Sequence, residues 1–258
     1  MTLVQQKTLM ETIFQRKSVR EFQMETLDEK FLKSIETYFT TLLPLQKEQS
    51  SKIVIIDAVH QVNEKKGMFH IKAPYYLAFY TKKTEDYMLN AGYLMEQMLL
   101  YLSSKGLGTC FVASDCLARP KEEDKEVYVI ALAFGFPVNS RKVHFKIPKL
   151  PVKEICVFKE EVDTTIKAMV DAVRKAPSSL NSQPWRLVAY NNRIHLFAKS
   201  EKYSMSRKWR MFNMGIALAH ILMIAEDLWI DATVSQLPDI ANKDFQNNEY
   251  VTSVLLNR

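Results

Sequence analysis

Glycine is scarce, with 6 in 258 residues. That leaves little material for glycine-rich phosphate loops, elastic linkers or a collagen-like repeat. Cysteine is scarcer. Cys110, Cys116 and Cys156 are odd in number and include no Cys-x-x-Cys spacing. This argues against a disulfide framework or a thiolate zinc site and fits a reducing compartment, here expected to be the cytoplasm. His60, His70, His144, His195 and His220 show no metal-ligand spacing, so no metal is expected. Long apolar runs are also missing. The longest, Met214 to Ala225, contains His220 and ends at Glu226-Asp227. A bilayer span needs ~20 residues, so this run reads as a buried helix and no membrane partner is expected. Met1 to Lys7 lacks the apolar core of a secretory signal.

What remains is a globular composition, with 47% hydrophobic and 25% charged residues. Enough apolar surface is present to offset the entropy of ordering the chain. The length suits one large domain or two small ones. The 35 Lys+Arg against 29 Asp+Glu give a net charge of +6, which favours anionic partners. The cations are scattered and no nucleic-acid-binding motif is present, so nucleic acid is not an expected partner.

The spacing predicts helices over 7–15, 27–43, 86–105, 163–175 and 213–229. Thr26 is the candidate cap of the second. Short runs rich in β-branched and aromatic residues predict strands over 52–57, 74–81, 109–113, 127–135 and 231–237. Residues 185–190 and 193–199 read as a hairpin turning at Asn191-Asn192. The two halves, 1–158 and 159–258, look like diverged copies of one pattern. Asn90-Ala91-Gly92 opens one apolar helix, Asn213-Met214-Gly215 opens the other, and each helix leads into a strand.

The most informative stretch is Ala176 to Val188. Pro177 and Pro184 exclude helix interior. Between them Ser178, Ser179, Asn181, Ser182 and Gln183 offer donors and acceptors without net charge. Such a loop suits the edge of a heteroaromatic ring, although turn chemistry alone also explains Pro, Ser and Asn. Arg16, Lys17 and Arg20 form a basic cluster, which equally describes a solvated helix end.

PSSLNSQPW resembles the signature loop of the FMN-dependent nitroreductase family, and RKSVREF (Arg16 to Phe22) resembles that family's N-terminal arm. The central helix ending in Gly106-Leu107-Gly108, and the strand ending in FGFP, are similar to the same family. The resemblance implies an α+β nitroreductase-like fold. It differs in one respect: the arm lies in the first half and the loop in the second. This resembles two subunits fused into an intramolecular pseudo-dimer, expected to be monomeric and to hold one FMN. The resemblance assigns Arg16, Lys17 and Ser18, with Lys146 or Lys149, to the FMN phosphate. Arg20 falls to the pyrimidine edge, and backbone groups of Val112, Ala113 and Ser114 to the N5 edge. Pro177, Ser178, Ser179, Asn181 and Gln183 approach the ring. No side chain is expected to be catalytic, because the flavin carries the chemistry. The implied activity is ping-pong reduction of a nitroaromatic, quinone or enone by NADH or NADPH. The alternatives are other flavin chemistry on the same fold and an FMN-binding or regulatory protein without turnover.

Overall fold

The structure, a computed structural model, describes residues 8–46, 49–60, 71–113, 126–138, 147–200, 204–243 and 245–257. In chain order its helices are α1 (Leu9–Gln15), α2 (Glu29–Thr41), α3 (Tyr87–Ser104), α4 (Val152–Ile155), α5 (Thr164–Lys175), α6 (Ser204–Asp227) and α7 (Pro238–Ala241). The strands are β1 (Ser51–Asp57), β2 (Tyr75–Lys82), β3 (Gly108–Val112), β4 (Glu126–Gly135), β5 (Cys156–Phe158), β6 (Trp185–Tyr190), β7 (Arg193–Ala198), β8 (Asp231–Ser235) and β9 (Glu249–Asn257). Contacts group the chain into two compact units, Met1–Tyr87 with Leu94–His144, and Met88–Tyr93 with Phe145–Arg258.

The first unit is built on an antiparallel sheet of order β1-β2-β4-β3. The continuous apolar runs of β2 and β4 are buried on both faces, which places them in the middle. Helix α2 starts at Asp28 rather than at the expected cap Thr26. The Asp28 carboxylate accepts the Lys30 and Phe31 amides at 2.8 and 3.2 Å, within a reach that Thr26 lacks.

The second unit has the order β5-β6-β7-β9-β8. Its hairpin turns at Asn191-Asn192, as the sequence indicates. Helix α6 begins at Ser204 instead of 213. Its first turns escape an apolar count because Arg207 and Lys208 face solvent while Trp209 and Phe212 are buried. Strand β9, paired on both sides by β7 and β8, escapes the sequence reading, since polar Thr252 and Ser253 interrupt its apolar run.

Both units share one wiring. The series α2-β1-β2-α3-β3-β4 and α5-β6-β7-α6-β8-β9 each place their strands in the order first, second, fourth, third. The sequence reading expects a boundary at 158/159, and the second series begins at α5. Contacts divide the chain at 144/145, because β5 runs parallel to β6 and joins its sheet.

Within the second unit, residues 88–93 of α3 lie against α6 backbone to backbone. A Cβ on Gly92 would stand 1.9 Å from the Phe212 carbonyl oxygen, and one on Gly215 would stand 2.0 Å from that of Leu89. The contact is reciprocal, each glycine meeting the residue three places before the other. No rotamer can relieve such a clash, so the helices must separate. Gly92→Ala should therefore destabilise the protein by about 1–3 kcal/mol or more, despite the ~1 kcal/mol that alanine gains in an unhindered helix. Urea unfolding checks this, and an unchanged or raised midpoint would remove the close crossing from the account.

The same unit buries a polar chain. His195 Nε2 accepts from Arg193 Nε at 3.3 Å, so Nδ1 carries the proton and faces Ser253 Oγ at 2.7 Å. Ser253 Oγ lies 2.7 Å from the Tyr250 hydroxyl. Burial first, then the Arg193 and Lys243 cations, lower the His195 pKa from 6.5 to about 4. The folded state thus resists a proton that the unfolded state accepts. Its contribution, about 3 kcal/mol, is complete above pH 6.5 and is lost as pH falls toward about 4. Urea unfolding at pH 7 and pH 4.5 should show that loss in the wild type and a shallower one in His195→Gln. Equal losses in both would contradict it.

Candidate functional site

The arm that carries the first cluster is an extended segment of the first unit. A capping box opens α1: the Thr8 side chain accepts the Glu11 amide, and the Glu11 carboxylate returns to the Thr8 amide. The helix stops at Gln15, and Arg16 donates its own amide to Thr12. The chain then lies along β3, with Ser18 bridged to Thr109 and the Val19 amide on the Thr109 carbonyl at 2.9 Å. Gly108 permits that approach, because a Cβ there would stand 2.8 Å from the Val19 side chain. Phe22 bridges to Pro137 and ends the segment.

This geometry half-buries Arg16 and takes its Nε out of solvent. Its Nη2 donates to Ser18 Oγ at 3.0 Å, while Nε is buried without a hydrogen-bond partner among the described residues. Burial lowers the Arg16 pKa, and the Glu96 carboxylate, followed by Cys110, acts in the opposite sense. Glu96 is itself fully buried on α3. A solvated helix end would show none of this, so that reading does not hold for Arg16. Lys17 and Arg20 remain exposed. Burial raises the Cys110 thiol pKa despite Arg20 and Arg16 nearby, which keeps the sulfur protonated and inert. Val112 and Ala113 stand at the end of β3. Ser114 and Lys146 lie outside the described residues.

The second cluster is a strained loop of the second unit. After α5 ends, the chain makes a 3-10 turn over Ser179–Asn181. Leu180, Asn181 and Gln183 take φ of 52°, 54° and 47°. Each left-handed residue that is not glycine costs about 1–3 kcal/mol, and such strain persists only where the surroundings impose it. Four bonds do so. The Gln183 amide donates to Ser178 Oγ at 3.0 Å, and the Leu150 amide to Gln183 Oε1 at 3.0 Å. Asn181 Nδ2 donates to the Pro148 carbonyl at 2.9 Å, and the Ser179 amide to Asn213 Oδ1 at 3.1 Å. Trp185 is fully buried and anchors the end of the loop in the core.

Lys149 joins this cluster, donating to the Ala176 carbonyl at 2.6 Å, immediately before Pro177. Among the described residues, Ser179 Oγ and the Asn181 side-chain carbonyl take no part in the bonds that hold the loop. Ser182 Oγ and Asn213 Nδ2 are buried without hydrogen-bond partners among the described residues. Leu180, in contrast, is 70% exposed.

The structure thus gathers Arg16, Lys17, Ser18, Arg20, Val112 and Ala113 in one unit. It gathers Lys149, Pro177, Ser178, Ser179, Asn181 and Gln183 in the other. Sequence reasoning did not assign Asn213 to the site. The available signal was its place in the Asn-x-Gly pattern that opens both apolar helices. His220 is a satisfied core residue, its Nδ1 lying 2.8 Å from the Ala172 carbonyl. Among the described residues, no group of three or more His, Cys, Asp or Glu is placed to hold a metal ion. No described helix is long and apolar enough to cross a membrane.

Residues 8–225 match the family model described as Putative TM nitroreductase. Among solved structures, the chain is similar to a putative nitroreductase from Thermotoga maritima MSB8. The two are 22% identical with a TM-score of 0.66, over 98% of this chain and 96% of that one. It is also similar to an FMN-dependent nitroreductase from Clostridium difficile R20291. There the identity is 15% and the TM-score 0.41, over 53% of this chain and 98% of that one. No curated protein matches. The fold is therefore the α+β nitroreductase-like fold.

Proposed function

The chain belongs to the Putative TM nitroreductase family, and from that premise we propose that this oxidoreductase is FMN-dependent and draws its electrons from NADH or NADPH. The observation that carries the proposal is the loop 178–183, three of whose residues are held in left-handed conformations without glycine. Strain of this kind, tied at four points and presenting unused polar groups, is the mark of a ligand clamp.

The residues present fit FMN. The half-buried guanidinium of Arg16, with its Nη2 on Ser18 and its buried Nε without a hydrogen-bond partner among the described residues, is suited to a phosphate dianion, which would offset its desolvation. Lys17 and Lys149 add cations. Arg20 is assigned to the pyrimidine edge, where a positive charge favours the reduced ring. Ser179 and Asn181 have groups left for the ring, with Val112 and Ala113 offering backbone. Ser178 and Gln183 hold the loop. When bound, FMN supplies the two-electron chemistry, passing electrons from NAD(P)H to an electron-poor acceptor such as a nitroaromatic, quinone or enone. The protein's part is to bind, orient and bias the charge of the ring.

Arm and loop each occur once in the sequence, so we assign one FMN per chain and read the repeated wiring as two subunits fused into one, working as a cytoplasmic monomer. Titration with FMN, followed by anaerobic NADH or NADPH, tests this. A ratio near one and bleaching of the bound flavin are expected. No retained flavin would overturn the reading, and retained flavin that neither nucleotide bleaches would favour a binding protein without turnover. Arg16→Gln should weaken FMN about 10- to 100-fold, the loss of a charge-assisted bond, while leaving riboflavin affinity within about threefold. Equal losses for both would take the phosphate away from Arg16.

A further inference from the structure

We infer that Asn213 is a positioning residue for the loop, setting its first strained turn through the bond from the Ser179 amide to Asn213 Oδ1. The inference rests on the assignment of that loop to flavin. Asn213 is 1% exposed in the interior of α6, two residues before Gly215. Asparagine is a poor choice there by every local criterion. It is a weak helix former, and its Nδ2 is buried without a hydrogen-bond partner among the described residues. Leucine would fill the position without an orphaned amide. What asparagine adds is an acceptor at a fixed point, and the Ser179 amide uses it at 3.1 Å.

That acceptor is itself immobile. The close crossing at Gly92 and Gly215 denies α6 lateral freedom. The other braces of the loop run to its own residues and to 148–150. Asn213 therefore ties the turn to the helix core of its unit. With Ser179 held by its amide, the peptide that begins the turn has one orientation. The left-handed residues Leu180 and Asn181 follow from it. A local rule broken in the core, with the compensation found at a strained loop, points to function rather than to stability.

Two variants separate the acceptor from the bulk of the side chain. Asn213→Asp keeps an oxygen facing the Ser179 amide, and Asn213→Leu keeps the volume and removes it. Asn213→Ala replaces the leucine variant if that chain does not fold. Hydrogen exchange of the FMN-free chain is read first. Exchange at the Ser179 amide should rise tenfold or more in Asn213→Leu and stay within about threefold of wild type in Asn213→Asp. FMN titration is read second. Asn213→Leu should bind FMN about tenfold more weakly, with a shifted visible band of the bound flavin, and Asn213→Asp should restore both. Wild-type exchange in Asn213→Leu, or an Asn213→Asp that behaves like it, would overturn the inference. A wild type that binds no FMN would end the flavin assignment alone, because the exchange comparison still decides whether Asn213 holds the turn.

Discussion

A backbone-on-backbone contact is the constraint from which the second unit is built. Where Gly92 and Gly215 dispense with side chains, α6 meets the start of α3 at distances that no other residue allows. A helix held this way is a rigid support. Two residues before Gly215, Asn213 reaches the Ser179 amide, and from there the loop takes three left-handed residues in a span of four. The loop is tied down although it is polar and irregular. Its proline ends, its buried Trp185 anchor and its bonds to 148–150 restrict its backbone.

The first unit prepares its cluster by a different device. There the chain runs extended along the edge strand β3, bridged to it at Ser18 and Thr109. Arg16 is turned inward, into the field of Glu96, and Lys17 and Arg20 are left in solvent. A buried guanidinium is costly unless its charge and its donors are matched. Ser18 and Glu96 meet part of that demand, and an anion at Nε would meet the rest. The second unit ties its own cluster differently, through bonds from the loop to 148–150 and to Asn213.

Much of this was legible in the residues. The apolar runs of β2 and β4, the periodicity of α5, and the Asn191-Asn192 hairpin all express local rules that the fold obeys. The loop stood out because Pro-Ser-Ser-Leu-Asn-Ser-Gln-Pro-Trp breaks those rules over a short span. What could not be read depends on tertiary context. β9 hides because Thr252 and Ser253 are polar, and their partners, the Ser235 carbonyl and His195, are brought to them only by the fold. The start of α6 hides because its solvent face is basic. The partial burial of Arg16 hides because the same letters describe a helix end in water, and the bridge of Ser18 to Thr109 that lays the segment along β3 is a tertiary contact. Asn213 looked like a helix residue, and its use appears once Ser179 is placed.

The central claim is that the arm and the loop are both flavin-binding segments. Hydrogen exchange of the chain with and without FMN tests it most directly. The account predicts that FMN slows exchange in both 16–22 and 178–183 and leaves the β8–β9 pair unchanged. Protection of neither segment, or of β8 and β9 instead, would contradict it.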